Sequence, residues 1–220
     1  MKARQVIFII LAILFVDQAI KLYIKTHYYL GEEHLVLGNW FRLHFVENPG
    51  MAWGARLGAG ESAKPILSLF RLVAVIFGVF YIKKIIKQKL HPGFIVCVAL
   101  IYAGAMGNLL DSMFYGLIFD KGMLYNLVTH DYDPYQGLAA FSSHGYTSFL
   151  YGNVVDMLYF PMIKSHYPSW FPFVGGKEFE FFEPVFNIAD AAISAGVIAI
   201  LVFQNKFFKK EHPQPQPATE

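Results

Sequence analysis

Charged residues and cysteine are both scarce in this sequence. Asp, Glu, Lys and Arg make up only 15% of the 220 residues, whereas soluble domains carry about a quarter. The single cysteine, Cys97, excludes a disulfide within the chain and a metal site of the Cys-x-x-Cys type. The net charge of +2 is too small to indicate a nucleic-acid partner. With 55% hydrophobic residues and a mean hydropathy of +0.41, the composition indicates a membrane protein.

Four apolar stretches approach the length of about 20 residues that a transmembrane helix needs. The first lacks a small-residue cleavage site and continues through Asp17 and Lys21, so we interpret it as a retained helix and not as a signal peptide. The sequence therefore predicts an all-α membrane protein, with a single domain over residues 1–210 and a disordered tail at 211–220. The predicted helices cover approximately residues 6–24, 66–86, 93–114 and 185–208.

Basic residues are concentrated at one end of the predicted helices. They favour a cytoplasmic position for both termini, because cytoplasmic loops carry an excess of Lys and Arg. The loops at 31–65 and 115–184 then lie outside, on the periplasmic side if the cell has a periplasm. The basic residues are Lys2 and Arg4 before the first helix, Lys83, Lys84, Lys87 and Lys89 between the second and third, and Lys206, Lys209 and Lys210 after the fourth.

The two outer loops differ in composition. The stretch "LVLGNWFRLHFVENPGMAWG" in the first loop mixes aromatic and β-branched residues with turn residues, which predicts short strands. The second loop is rich in Tyr, Phe and Trp, and Trp and Tyr are enriched where proteins meet lipid headgroups. Two interpretations follow for the second loop: an aromatic layer on the membrane surface, or a folded outer loop without membrane contact.

Polar residues interrupt the apolar segments at four places. Asp17 and Lys21 are four residues apart with the acid first, so they can pair on one helix face. The pair either only neutralises charge near the outer interface, or it supports a neighbouring site or meets a lipid headgroup. The other three places share the pattern Asn-x-x-Asp, in which the amide and the carboxylate point the same way on a helix. They are Asn108/Asp111, Asn153/Asp156 and Asn187/Asp190.

The Asn-x-x-Asp pairs have a structural and a catalytic interpretation. Each one alone is explained by helix capping or by a satisfied polar contact. All three lie toward the outer face, however, where two carboxylates sharing one proton can activate water and protonate a carbonyl, as in aspartic proteases. That chemistry needs no metal or cofactor, and the sequence has no Gly-x-Ser-x-Gly or His-Glu-x-x-His motif. The alternatives are a small transporter or channel with intramembrane acids, and a non-enzymatic scaffold.

Five motifs, in order, resemble those of the bacterial lipoprotein signal peptidases, the type II signal peptidases. The resemblance extends over nearly the whole chain. It implies an inner-membrane aspartic endopeptidase that cuts diacylglyceryl-modified prolipoproteins just before the lipidated cysteine. It also implies four transmembrane helices with a small periplasmic β-cradle and an extended periplasmic loop. The motifs are "DQAIK" at 17–21, "ENPGMAWG" at 47–54, "GAMGNLLD" at 104–111, "GNVVDMLYF" at 152–160 and "FNIAD" at 186–190.

The resemblance further implies roles for individual residues. Asp156 and Asp190 become the catalytic pair. The implied partners are lipid-modified prolipoproteins and membrane lipids, with no nucleic acid, no metal and no cofactor, and the chain is expected to be a monomer. The residues that orient or bind the substrate, or support those that do, are Asn48, Gly50, Asn108, Asn187, Asp17, Lys21 and Asp111.

Two departures from the family pattern leave questions open. Type II signal peptidases usually have Arg directly after Gly-Asn-x-x-Asp, whereas this chain has Ser112 and no obvious basic substitute nearby. The family also usually places its first catalytic Asp shortly after that point. Here Asp120 has the expected spacing, while Asp156 has the expected neighbours. We prefer Asp156, which makes the stretch at about 112–151 an insertion.

Overall fold

Four long helices form the body of the protein. The computed structural model describes residues 1–50, 63–161, 163–166, 168, 170–171, 176, 178–181 and 184–208. By length and composition, each of the four is able to cross a membrane. The helices are α1 (Ala3–His27), α2 (Ala63–Lys87), α3 (Pro92–Leu110), which continues through a π-helical turn (Asp111–Tyr115) into the short α4 (Gly116–Ile118), and α5 (Ile188–Phe207).

The helix ends differ from the predicted bounds for local reasons. The fourth predicted helix begins at Ile188 and not at residue 185, because the Asn187 side chain caps it by accepting a hydrogen bond from the Asp190 amide. The first extends beyond residue 24 to His27. The buried Lys21 and Lys25 lie in this last part of α1 and have polar partners there. The predicted tail at 211–220 lies outside the described residues.

A small antiparallel sheet accompanies the helices. Its strands are β1 (Glu33–Leu37), β2 (Phe41–Asn48) and β5 (Val154–Tyr159), paired in the order β1-β2-β5. The prediction of strands in the stretch at 35–54 is thus confirmed for residues 35–37 and 41–48, while residues 51–54 lie outside the described residues. Two separate hairpins complete the sheet structure: β3 (Leu124–Asn126) with β4 (Asp131–Asp133), and β6 (Ile163–His166) with β7 (Glu178–Phe181).

The sheet packs against one end of the helix bundle. Phe45 of β2 and Met157 of β5 share a hydrophobic cluster with Ile24 at the end of α1 and with Tyr115 in the π-helical turn. Since the helices alternate in direction, this end also holds the start of α2 and the start of α5. The polar motifs of the sequence are therefore gathered where the sheet meets the bundle.

Helix α3 lies at the centre and packs against each of the other three long helices. Small residues allow α5 to approach it closely. A Cβ atom added to Gly104 would collide with the backbone carbonyl oxygen of Ala189, and one added to Gly196 would collide with that of Cys97. In contrast to α3, the helices α1, α2 and α5 expose large apolar side chains, as a lipid-facing surface requires.

We expect Gly104→Ala to destabilise the protein by about 1–3 kcal/mol, as overpacking of a core typically does. The added methyl group meets backbone of α5 at Ala189, which a side-chain rotation does not relieve. Gly78→Ala is the matched control, because its methyl group meets only the ring of Tyr102, which can rotate. Thermal unfolding of both variants in detergent measures the difference, and equal stability of the two would contradict this account of the α3–α5 contact.

Candidate active site

Asp156 projects from strand β5 toward the amide of Asn48. In the antiparallel register Asp156 faces Val46 of β2. Asn48 lies two residues further along β2 and is therefore a diagonal neighbour on the same face. Its Nδ2 donates to Asp156 Oδ2 at 3.2 Å. The Asp156 side chain is buried, with 2% of its surface exposed.

Asp190 lies in the first turn of α5, and Asn187 links it to Asp156. The Asn187 Oδ1 accepts a hydrogen bond from the Asp190 amide at 2.9 Å. The Nδ2 of the same side chain donates to Asp156 Oδ1 at 2.6 Å. One asparagine thus caps the helix that carries one aspartate and binds the carboxylate of the other. The two carboxylates, which are distant in sequence, are joined through a single side chain.

Asn108 of α3 holds the Asp190 carboxylate. Its Nδ2 donates to Asp190 Oδ1 at 2.7 Å. Its Oδ1 accepts from Lys21 Nζ at 2.9 Å and from Asn187 Nδ2 at 3.1 Å. These contacts orient the amide group of Asn108, because its oxygen faces donors and its nitrogen faces a carboxylate. Unlike Asp156, Asp190 is only partly buried, so one side of the pair is open.

A buried cluster of charged side chains, formed by Asp17, Lys21 and Asp111, supports the hydrogen-bonded aspartates and asparagines. Lys21 Nζ lies 3.0 Å from Asp17 Oδ2 and 2.8 Å from Asp111 Oδ2. Asp17 also accepts from the backbone amide of Ala189 at 2.9 Å, which fixes the start of α5. Asp111 accepts from the amide of Val155 at 3.3 Å, which fixes β5. Asp17 and Lys21 therefore form an ion pair, and the cluster of Asp17, Lys21 and Asp111 anchors both elements that carry the aspartates.

The two aspartates, Asp156 and Asp190, lie in different electrostatic environments. Burial and, next, the negative charge of Asp190 raise the pKa of Asp156 to about 7. The hydrogen bonds from Asn48 and Asn187 and the positive charge of Lys21 oppose this increase. Asp190 lies near the positive end of the α5 dipole, which favours a negative charge there. With its pKa at about 7, Asp156 holds a proton in a large fraction of the molecules at neutral pH.

Gly50 fixes the direction of the Asn48 side chain. Its amide donates to Asn48 Oδ1 at 2.9 Å, so that the Asn48 amide nitrogen is left to face Asp156. Gly50 has a φ angle of +105°, a backbone conformation that residues with a Cβ atom rarely adopt. The Asn-x-Gly motif is thus a turn that orients the Asn48 side chain toward Asp156. The remainder of that motif, residues 51–54, lies outside the described residues.

The Asn153/Asp156 pair does not share a face, although its spacing would align the two side chains on a helix. Asp156 lies in a strand, and Asn153 immediately precedes it. Because successive residues of an extended chain alternate sides, a spacing of three turns the two side chains in opposite directions. Asn153 instead donates to Glu47 at 2.7 Å and to the Met123 carbonyl at 2.9 Å.

Asn153 belongs to a second buried cluster that the sequence analysis missed. Its Oδ1 accepts from Lys64 at the start of α2. Glu47 pairs with Lys25, which in turn donates to the Lys121 carbonyl at 3.0 Å. This cluster ties the predicted insertion to α1, α2 and the sheet. Lys25 was detectable in sequence, because it follows Lys21 by one helical turn on the same face.

Asp120, the alternative to Asp156, lies in a different environment. It is exposed, and its Oδ1 accepts from the backbone amide of Ala140 at 2.7 Å. That contact, together with the bridge between Phe119 and Phe141, belongs to the fold of the segment at about 112–151. The hydrogen bonds to Asn187 and Asn48 favour Asp156 as the partner of Asp190.

A basic residue lies beside Ser112 after all, and it comes from another helix. Arg71 of α2 donates through Nη1 to the Ser112 Oγ at 3.2 Å. Arg71 was not among the residues predicted from the sequence, and no basic residue was expected near Ser112. The signal was available, because Arg71 is the only charged residue between Lys64 and Lys83.

Comparison with known proteins gives a consistent result. The family model for signal peptidase (SPase) II matches residues 9–206. A lipoprotein signal peptidase of Porphyromonas gingivalis is 46% identical over 197 residues, which cover 88% of this chain and 80% of that protein. One from Amoebophilus asiaticus is 34% identical over 208 residues, covering 93% of this chain and 79% of the relative.

Two solved structures share the fold. Both are described as bacterial membrane enzymes, with TM-scores of 0.55 and 0.56 at sequence identities of 22% and 21%. They cover 96% and 94% of this chain, and the chain covers 94% and 96% of theirs. At this identity the similarity concerns the fold, which agrees with a multi-pass membrane protein.

Proposed function

The chain belongs to the signal peptidase II family and removes signal peptides from prolipoproteins, and we propose that Asp156 and Asp190 are the catalytic pair of this peptidase. The observation that carries the proposal is the placement of Asn187, whose side chain binds the Asp156 carboxylate and caps the first turn of the helix that carries Asp190. The transporter and scaffold alternatives lose their basis, because the acids are part of a hydrogen-bonded group in a peptidase family.

The proposed reaction uses the single proton of the pair. Asp190, ionised, accepts a proton from a water molecule, and the water oxygen forms a bond with the carbonyl carbon of the scissile peptide. Asp156 gives its proton to the carbonyl oxygen at the same time. When the tetrahedral intermediate collapses, Asp190 returns the proton to the leaving nitrogen and Asp156 recovers its proton from the oxygen. The C–N bond breaks, and the pair regains its initial state.

The surrounding amides and ion cluster hold the pair in place during these transfers. Asn48 and Asn187 bind the two oxygens of Asp156, and Asn108 binds Asp190. Lys21 fixes Asn108 through its amide oxygen. Each carboxylate thus keeps a defined orientation while its charge changes, which reduces the reorganisation that the reaction requires.

We further propose that the pair lies near the outer surface of the cytoplasmic membrane, with both termini in the cytoplasm. Basic residues at the opposite end of the helices support this orientation. A diacylglyceryl-modified substrate has its scissile bond near the headgroups, so the enzyme needs its carboxylates at that depth. The exposed apolar side chains of Leu35, Val36, Leu37 and Trp40 on the β1–β2 hairpin suit a cradle that rests on the lipid surface.

The proposed function is tested with the purified protein in detergent and a synthetic prolipoprotein peptide that carries a diacylglyceryl cysteine. We expect one cut, immediately before the lipidated cysteine, identified by mass spectrometry of both products. The same peptide without the lipid is the control and should be cut far more slowly. A cut at another position, or equal cleavage of both peptides, would reject the proposed substrate.

The raised pKa of Asp156 predicts a loss of activity at alkaline pH. With its pKa at about 7, Asp156 loses the catalytic proton as the pH rises above that value. We expect kcat/KM to fall by about tenfold per unit above pH 8, since the protonated fraction falls in that proportion. The groups that act on Asp156 include Asp190, Lys21, Arg71 and the amides of Asn48 and Asn187. A rate that is constant from pH 6 to 9 would be incompatible with this assignment.

The raised pKa of Asp156 also predicts how the stability of the folded protein changes with pH. The pKa of Asp156 is higher in the folded state than the value of about 3.9 for an unfolded chain. The folded state therefore binds the proton more tightly, and the stability contributed by protonated Asp156 is lost as the pH rises from about 4 to 7. Asp156→Asn is expected to remove this part of the pH dependence of unfolding.

A further inference from the structure

Arg71 is a charged residue inside the apolar helix α2, where charged residues are rare. It lies in the third turn of α2, and residues 65–70 and 72–82 around it contain no Asp, Glu, Lys or other Arg. A charge within a spanning helix costs about 2.5–3.5 kcal/mol at its centre even on the lenient insertion scale. Such residues normally face the interior of the bundle and have partners there. Arg71 is partly buried, which agrees with an inward position.

The guanidinium of Arg71 is fixed on α3 by a hydroxyl group. Its Nη1 donates to Ser112 Oγ at 3.2 Å, and the same hydroxyl donates to the carbonyl of Asn108 at 3.0 Å. Ser112 is itself buried, with 2% exposed. Ser112 therefore uses its acceptor for the guanidinium and its donor for the helix backbone. This holds the positive charge of Arg71 beside the residue that binds Asp190.

Arg71 lies within electrostatic range of both proposed catalytic carboxylates and of Asp111. Its strongest electrostatic interaction is with Asp190, followed by Asp111 and Asp156. Lys21, the other cation of the site, makes direct contact with Asp17 and Asp111. The charged groups around the pair thus come from every packed element: Asp17 and Lys21 from α1, Arg71 from α2, Asp111 from the end of α3, Asp156 from β5 and Asp190 from α5.

We propose that Arg71, held by Ser112, is a positioning residue that keeps Asp190 ionised while Asp156 retains the proton of the pair. The proposal rests on the proposed function of these two aspartates. Two carboxylates in one buried place repel each other, and a nearby cation lowers the cost of charging one of them. Arg71 also balances negative charge as the proton moves between the pair and the substrate. Its effect on the reaction passes through Asp190 and Asp156.

The test compares Arg71→Gln, which removes the charge, with Arg71→Lys, which keeps it. For Arg71→Gln we expect kcat on the lipidated peptide to fall about 10- to 100-fold with little change in KM. Both limbs of the pH–rate profile should move to higher pH by about one unit, because each carboxylate then loses its proton less easily. Arg71→Lys should retain the wild-type limbs and most of kcat. Arg4→Gln, at the exposed end of α1, is the matched control.

The outcomes separate this inference from the proposed function. Cleavage by the wild type with an unchanged kcat and pH profile in Arg71→Gln overturns the role of Arg71 alone. A lower kcat with unmoved limbs also overturns it, since that is the result of a purely structural defect. A wild-type protein that does not cut the peptide rejects the proposed function itself. The inference is supported if both limbs of the pH–rate profile shift in Arg71→Gln and keep their wild-type positions in Arg71→Lys.

Discussion

Asp156→Asn and Asp190→Asn are each expected to lower kcat/KM for a lipidated precursor by a factor of about 10³–10⁴, the upper range for loss of a general acid or base. Asn keeps the size of the side chain but neither accepts the proton of water nor returns it. In Asp156→Asn the reaction loses the group that protonates the carbonyl oxygen. In Asp190→Asn it loses the group that activates water. In cells, uncut lipidated precursor should accumulate with either variant.

Two measurements distinguish a chemical defect from a folding defect. Asp190→Asn should unfold at a temperature close to that of the wild type, because Asn keeps an oxygen acceptor for the Asn108 amide. Asp156→Asn keeps only one of the two oxygens that accept from Asn48 and Asn187, so we expect it to fold with a loss of about 1–3 kcal/mol. Asp120→Asn is the matched control, since the Asp120 carboxylate is exposed and accepts from the Ala140 amide. Normal cleavage by Asp156→Asn together with loss of cleavage in Asp120→Asn would reverse our choice of the first aspartate.

Lys21→Met is expected to destabilise the protein by about 3–5 kcal/mol, the typical cost of removing one partner from a buried ion pair. Lys21 is fully buried and contacts Asp17, Asp111 and Asn108. Met has a similar length and fills the same space, but it leaves two buried carboxylates without their cation. The unfolding temperature in detergent should fall by about 10 °C for a chain of this size.

The control for this prediction is Lys2→Met, which removes a charge outside the bundle core. Lys2 is exposed, so its replacement should change the unfolding temperature little. Adding Asp111→Asn to Lys21→Met should recover part of the stability, because one of the uncompensated charges is then removed. A Lys21→Met protein as stable as the wild type would show that the cluster does not support the site.

Hydropathy was sufficient to predict the four helices, but the site depends on contacts between distant residues. The apolar runs are long and interrupted by few charges, so their positions follow from the requirement of a bilayer. The residues at which the helices begin and end were less predictable. The start of α5 depends on capping by Asn187, and α3 continues through a π-helical turn at Asp111 to Ile118. Neither feature has a period that a sequence pattern reveals.

The motif spacing indicated side chains that the structure brings together, but in one case the spacing did not correspond to a shared helix face. Asn187 and Asp190 meet through a helix cap, as the sequence allowed. Asn153 and Asp156 have the spacing that aligns side chains on a helix, yet they lie in and beside strand β5, which turns them to opposite sides. The strand was not evident because its pairing with β2 involves residues more than 100 positions away along the chain.

Two further residues show what a motif search leaves out. Asn48 acts on Asp156 only because β2 and β5 are in register. Arg71 belongs to none of the polar motifs, although its isolation in an apolar segment is visible in the sequence. A charged residue alone in a spanning segment is therefore a signal in its own right, whichever sign it carries.

The central claim is that Asp156 and Asp190 form one pair that shares a proton at neutral pH. Difference infrared spectroscopy during a pH titration tests it directly, because a protonated carboxyl group has its own stretching band. We predict a band at pH 6 that disappears with a midpoint near pH 7 and that is absent from Asp156→Asn. A wild-type protein without this transition, or an Asp156→Asn protein that retains it unchanged, would contradict the claim.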